Sequence, residues 1–290
     1  MPPADRSRRV RSIAAVIGTG LRAPLLRWLA RIGFAARGIV YLMLGALALM
    51  AALELRATPA GTSDALEAFG AWPLGQAWLF AIGAGLYAFM ALRLAQAVLD
   101  LEEHGRSALG YARRAGYGLS GAVHGVLGNT ALELASDVTA LRPEDPGHAV
   151  FQRALVAGFG AELLLGAAVV VTVAALGNGW KAVSRSLARD LEDGPEGPPR
   201  WAVLIGRLGY LARGLVLLLL GGFMARSALD AGGTRLVSLG RVLQVLEDGP
   251  QGVLLLAATG IGLSAFGVFA MVQARHGRIA SARSREAEGW

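Results

Sequence analysis

"RIGFAARGIVYLMLGALAL" occupies Arg31–Leu49, and "RLGYLARGLVLLLLGGFMA" occupies Arg207–Ala225. In each, a second arginine, Arg37 or Arg213, follows the first by six residues inside an otherwise lipid-like run. Gly33, Gly38 and Gly45 of the first stretch are matched in spacing by Gly209, Gly214 and Gly221 of the second. A hydrocarbon core about 30 Å thick takes roughly 20 apolar residues in a helix rising 1.5 Å per residue. Both stretches meet that length, so the chain reads as a duplicated membrane-spanning unit.

The same pattern occurs a third time. Arg114, Gly116, Tyr117, Gly121 and Gly128 repeat the spacing, with Ser120 in the place of Arg37 and Arg213. The spans that follow the first and third copies echo one another as well: "PLGQAWLFAIGAGLYAF" (Pro73–Phe89) against "PQGVLLLAATGIGLSAF" (Pro250–Phe266). Six apolar segments emerge: 33–53, 74–99, 115–135, 154–176, 208–229 and 252–273. Because each unit crosses twice, its successor starts on the same side, which makes the units parallel repeats. The expected fold is all-α: a polytopic membrane protein of six transmembrane helices from three parallel two-helix repeats.

The expected organisation is a basic cytoplasmic leader (1–30), repeat 1 (31–105), repeat 2 (106–190), an acidic Pro/Gly linker (191–200), repeat 3 (201–275) and a cytoplasmic tail (276–290). Short helices are expected in the outer loops, at 63–69 and 236–246.

Composition agrees with a membrane protein. The chain is 54% hydrophobic and only 17% charged over 290 residues. Of its 28 Lys and Arg, 19 fall on the side of the termini and five in the opposite loops, with Arg37, Arg93, Arg213 and Arg226 inside spans. The positive-inside rule then places both termini in the cytoplasm. Lys181 is the sole lysine, and the abundance of Arg, Ala and Gly suggests a GC-rich bacterial genome, hence the inner membrane. No cleavable signal peptide is expected, since no small-residue cleavage site closes the apolar stretch before Arg22 and Pro24.

Arranged as three two-span units, each led by an R-x-G-[FY]-x-x-R-G-like element, the chain resembles the DUF1206 proteins, uncharacterised bacterial integral membrane proteins. The resemblance covers about Arg31 to Gln273, and the second unit departs from it at Ser120. It implies a fold and a location and no activity. Mitochondrial carriers also hold six spans in three pairs, but their P-x-[DE]-x-x-[KR] signature is missing after every odd span.

Several reaction classes are excluded or unsupported. The absence of cysteine removes disulfides, thiol nucleophiles and thiolate metal sites. One mid-membrane histidine, His124, does not make a haem or zinc site, so no metal or cofactor is expected. No serine lies in a nucleophile elbow, glycine pairs such as Gly83 and Gly85 follow no strand, and no nucleic-acid-binding signature occurs. A non-enzymatic protein is expected.

What remains are the polar residues within the membrane. Arg37 and Arg213 sit about 6 Å inside the cytoplasmic lip. They either snorkel to the interface, form a buried ion pair, or converge with Arg31, Arg114 and Arg207 on an anionic lipid headgroup or other acidic ligand. His124 and Glu162 meet as an intramembrane polar pair if the third and fourth spans pack as a hairpin. The leading expectation is a lipid-binding or partner-binding helical module, its partners being membrane lipids or a membrane protein. The alternative is a small transporter or channel with a pathway along the pseudo-threefold axis.

Overall fold

A computed structural model describes residues 3–55, 61–101, 105, 107–136, 158–189, 191, 199–230 and 238–276, with the backbone alone at 3–24. The regular elements in these residues are helices: α1 (Pro3–Ala52), α2 (Thr62–Gly70), α3 (Gly75–Leu99), α4 (Ala108–Ser136), α5 (Gly160–Val183), α6 (Ser186–Arg189), α7 (Arg200–Leu229), α8 (Leu239–Glu247) and α9 (Gly252–His276). Most of the acidic linker, the tail beyond His276 and the first residues expected in the fourth span lie outside the described residues.

Five of the helical segments are long and apolar enough to cross a membrane: Leu25–Ala52, α3, α5, α7 and α9. The third expected span, within α4, is not among them. Its sequence carries Arg113, Arg114, His124, Asn129 and Glu133, which lower its hydropathy although its 29 residues are long enough. The basic leader is helical from Pro3 and continuous with the first span, so no irregular segment separates the two. The fourth span begins at Gly160, six residues later than expected from Ala154.

Glycine faces set the packing. Gly38 of α1 lies against the Gly267 carbonyl of α9, where an added Cβ would come within 2.9 Å. Gly214 of α7 lies against the Ala175 carbonyl of α5, and Gly128 of α4 against the Gly83 carbonyl of α3, with corresponding distances of 3.1 and 3.3 Å. Small residues let helix backbones approach closely where lipid offers no hydrophobic drive for association. Each of α1, α4 and α7 thus packs along its glycine face on an apolar helix of a different two-helix unit, while α1 also packs on α3 and α7 on α9. No comparably extensive packing joins α4 to α5, because the glycine face of α4 is filled by α3 and the small-residue face of α5 by α7.

The short helices expected between paired spans are present close to their expected places, as α2 and α8. α2 buries Ala65, Leu66 and Phe69, and α8 buries Val242 and Leu243. Gly61 holds the start of α2 by donating its N–H to Asp64 Oδ2 at 2.7 Å, and Ser238 Oγ accepts from the Arg241 N–H at the start of α8. Each helix then turns into the next span through a left-handed residue, Leu74 (φ 62°) or Gln251 (φ 61°), followed by a glycine. Gly75 and Gly252 are required there, since a Cβ would run into the backbone of Gly70 or Glu247.

The outward faces are apolar. Leu163, Val169, Val173 and Leu176 of α5 and Leu204, Leu208, Leu211 and Leu215 of α7 are exposed. Trp28, Trp180 and Trp201 are exposed beside basic residues at one end of the spans, and Trp72 and Trp78 at the other. Tryptophans at both ends of apolar helices form the belt expected at membrane interfaces.

Candidate anion-binding site

Phe89 of α3 and Phe266 of α9 are both fully buried, and each closes on an aromatic ring of its neighbouring helix. Phe34 meets Phe89 edge-on at 5.4 Å, and Tyr210 meets Phe266 edge-on at 5.1 Å. Gly33 and Gly209 make this fit possible. A Cβ on Gly33 would lie 2.7 Å from Phe89 Cα, and one on Gly209 would lie 2.5 Å from Phe266 Cα. The two "Ala-Phe" matches of the sequence are therefore equivalent in space as well as in spacing.

Between these rings lies Arg37, 4% exposed. Its guanidinium carbon is 4.5 Å from the Phe266 centroid, 5.3 Å from Phe89 and 5.8 Å from Tyr41. Arg213 sits 5.1 Å from Phe266 and 5.5 Å from Tyr41, and Arg93 sits 4.9 Å from Phe89 and 5.1 Å from Tyr117. Cations and rings alternate in the order Tyr117, Arg93, Phe89, Arg37, Phe266, Arg213, Tyr41. A desolvated cation over an aromatic face gains on the order of 2 kcal/mol, which partly offsets the cost of burying it.

The three guanidiniums differ in their hydrogen bonds. Arg213 Nε donates to Tyr41 Oη at 2.8 Å, and its Nη1 donates to Asn178 Oδ1 at 2.7 Å. Arg93 Nη1 donates to Gln96 Oε1 at 2.9 Å. Arg37 Nε is buried without a hydrogen-bond partner, and no carboxylate among the described residues pairs with Arg37. Gln273 Oε1 of α9 is also buried and unbonded.

The five arginines singled out from sequence separate in space. Arg37 and Arg213 turn inward to the rings, so neither snorkels to the interface, and neither forms a buried ion pair among the described residues. Arg31 is exposed beside Trp28, with its guanidinium carbon 6.0 Å from that ring. Arg207 is exposed and lines a shallow surface recess with Arg200 and Leu204. Arg114 donates to the carbonyls of Ala97 and Val98 at 2.7 and 3.0 Å, satisfying the last turn of α3.

His124 and Glu162 do not meet. His124 is buried, its ring 4.5 Å from Phe89, and its Nδ1–H donates to the Ser120 carbonyl at 2.7 Å. Glu162 is exposed in the first turn of α5. The hairpin that would have joined them is absent because α4 and α5 do not pack closely. His124 belongs instead to the wall of the arginine cluster through Phe89.

Arg93, Asn178, Tyr41 and the two phenylalanines went unnoticed as site residues. The "Ala-Phe" echo carried a signal for Phe89 and Phe266, but Arg93, Asn178 and Tyr41 lack counterparts of the same kind in the other units. No grouping of His, Asp or Glu able to hold a metal occurs among the described residues.

Apolar helices with exposed lipid-like faces, interfacial tryptophans and a buried cationic cluster define a multi-pass helical membrane protein. Residues 32–100 and 208–277 match the family model described as Domain of Unknown Function (DUF1206), so these two segments are similar to that family. They correspond to the first and third copies of the repeat. The chain is also similar to "Uncharacterized protein YxxB" of Bacillus subtilis (strain 168), with 26% identity over 252 residues, 86% of this chain and 90% of that protein. No solved structure matches it.

Proposed function

We propose that the protein is a non-enzymatic inner-membrane module that holds an anionic ligand, foremost an anionic lipid headgroup, at the Arg37–Arg213 cluster. In this reading six helices cross the bilayer as three parallel repeats, α4 included, and both termini are cytoplasmic. One observation carries the proposal: Arg37 is buried among three rings, its Nε unbonded. An uncompensated charge in a low-dielectric interior is costly, and an oxyanion would offset that cost with charge-assisted bonds. The transporter alternative has weaker support, because α4 and α5 do not pack closely and so do not close a ring of helices around a central axis.

Native mass spectrometry of protein extracted gently from its own membrane tests this, comparing wild type with Arg37→Leu/Arg213→Leu. The expected result is a stoichiometric anionic lipid or other acidic ligand on wild type, lost in the double variant. Bare protein in both would overturn the reading, and a bound protein partner insensitive to the substitutions would move the function to another surface.

A further inference from the structure

The glycine contacts fix a common register at three helix junctions. Gly38 meets the Gly267 carbonyl and Met271, Gly214 meets the Ala175 carbonyl and Gly179, and Gly121 meets the Met90 carbonyl and Leu94. Three residues beyond Gly267, Ala175 and Met90 stand Ala270, Asn178 and Arg93. One residue before Gly38, Gly214 and Gly121 stand Arg37, Arg213 and Ser120. The facing pairs are therefore Arg37 with Ala270, Arg213 with Asn178, and Ser120 with Arg93.

The Arg213–Asn178 hydrogen bond at 2.7 Å shows that such positions touch. At the α3/α4 junction the Arg93 Cβ lies 3.2 Å from where a Cβ on Gly121 would be. Here the arginine has changed sides: the second unit lacks it on α4, and the facing helix α3 of the first unit carries it. Arg93 reaches the same aromatic series, sharing Phe89 with Arg37.

Resting on the anion-binding reading above, we infer that Arg93 is the third cation of the site, supplying at the α3/α4 junction the guanidinium that Ser120 replaces, and that the site takes a phosphate-class oxyanion. Guanidinium donors suit phosphate oxygens, Arg37 Nε is unbonded, and three positive charges along one aromatic series are better offset by a multiply charged group than by a single carboxylate. Phosphate on a lipid and phosphate free in solution present this same chemistry.

The test uses the full-length protein, purified in detergent and stripped of lipid. Native mass spectrometry follows titration with phosphatidylglycerol, phosphatidylcholine or inorganic phosphate. Wild type is expected to retain phosphatidylglycerol or inorganic phosphate in preference to phosphatidylcholine, Arg93→Gln to bind it about tenfold more weakly, and the transposed variant Arg93→Ala/Ser120→Arg to recover binding. Retention of phosphatidylglycerol alone assigns the phosphate to a lipid, and retention of inorganic phosphate alone assigns it to a soluble ligand. Unchanged binding by Arg93→Gln, or a loss that the transposed variant does not repair, would overturn the role of Arg93 and leave the Arg37–Arg213 reading standing. Wild type that holds no phosphate-bearing anion would overturn this inference, and if it also arrives bare from its own membrane the broader reading falls with it. Cooperative unfolding of Arg93→Gln itself, at a midpoint close to that of wild type, keeps a folding defect from being mistaken for loss of a contact.

Discussion

Arg213 Nε donates to the hydroxyl of Tyr41 at 2.8 Å, joining the last repeat to the first across the interior of the bundle. The same guanidinium reaches Asn178 on α5, so one side chain ties α7 to two other helices. Substituting Tyr41→Phe keeps the ring and removes the acceptor. Hydrogen bonds to charged groups contribute roughly 1.5–3 kcal/mol, and the variant is expected to lose stability of that order. Unfolding in mixed micelles, compared with wild type, measures it; no change would mean the bond contributes nothing to holding the repeats together.

Gly33→Ala and Gly209→Ala should be severe, because each new Cβ meets the backbone of a buried phenylalanine at 2.7 and 2.5 Å. Overpacking of this kind costs about 1–3 kcal/mol or more. Gly116→Ala and Gly166→Ala, where a Cβ would meet nothing within 4 Å, should fold as well as wild type. Thermal aggregation in detergent separates the two pairs, and equal behaviour would contradict the packing of α1 on α3 and of α7 on α9.

Arg37→Met tests whether the buried cation serves the fold or a ligand. Replacing an unpaired buried charge with an apolar side chain of similar length is often neutral or stabilising. The lipid-stripped variant should melt no lower than wild type while losing the bound anion. A lower melting temperature would show that the cation and ring stack is what the fold relies on.

Topology is open to direct measurement, since the chain contains no cysteine. Single cysteines placed at Ser107 and Ser136, both exposed at opposite ends of α4, should label from opposite sides of the membrane if α4 is a span. Labelling from one side would make five the number of crossings and put the termini on opposite faces.

Much of the fold could be read from the residues because its periodic features recur: the apolar lengths of five helices, the short helices α2 and α8, and the glycine faces. Three features escaped. α4 carries polar residues that are spent locally, such as Asn129 donating to Glu133 at 2.6 Å, and these dilute its hydropathy. The pairing of His124 with Glu162 assumed that neighbours in sequence are neighbours in space, whereas helix faces were already taken by other units. Arg93 was hidden because its counterparts are Ala270 and Asn178, which share its position and none of its chemistry. Direction toward the interior is a property of the packed register, and spacing along one helix does not carry it.

The packing of α1 on α9 has a consequence for how the protein is made. Arg37 enters the membrane with the first span, yet Phe266, the ring nearest to it, belongs to the last. Until the ribosome has delivered α9, the newborn first helix presents a guanidinium with one face uncovered. Biogenesis therefore ends with the step that seals its beginning, and a chain truncated before the final helix lacks the ring that covers Arg37.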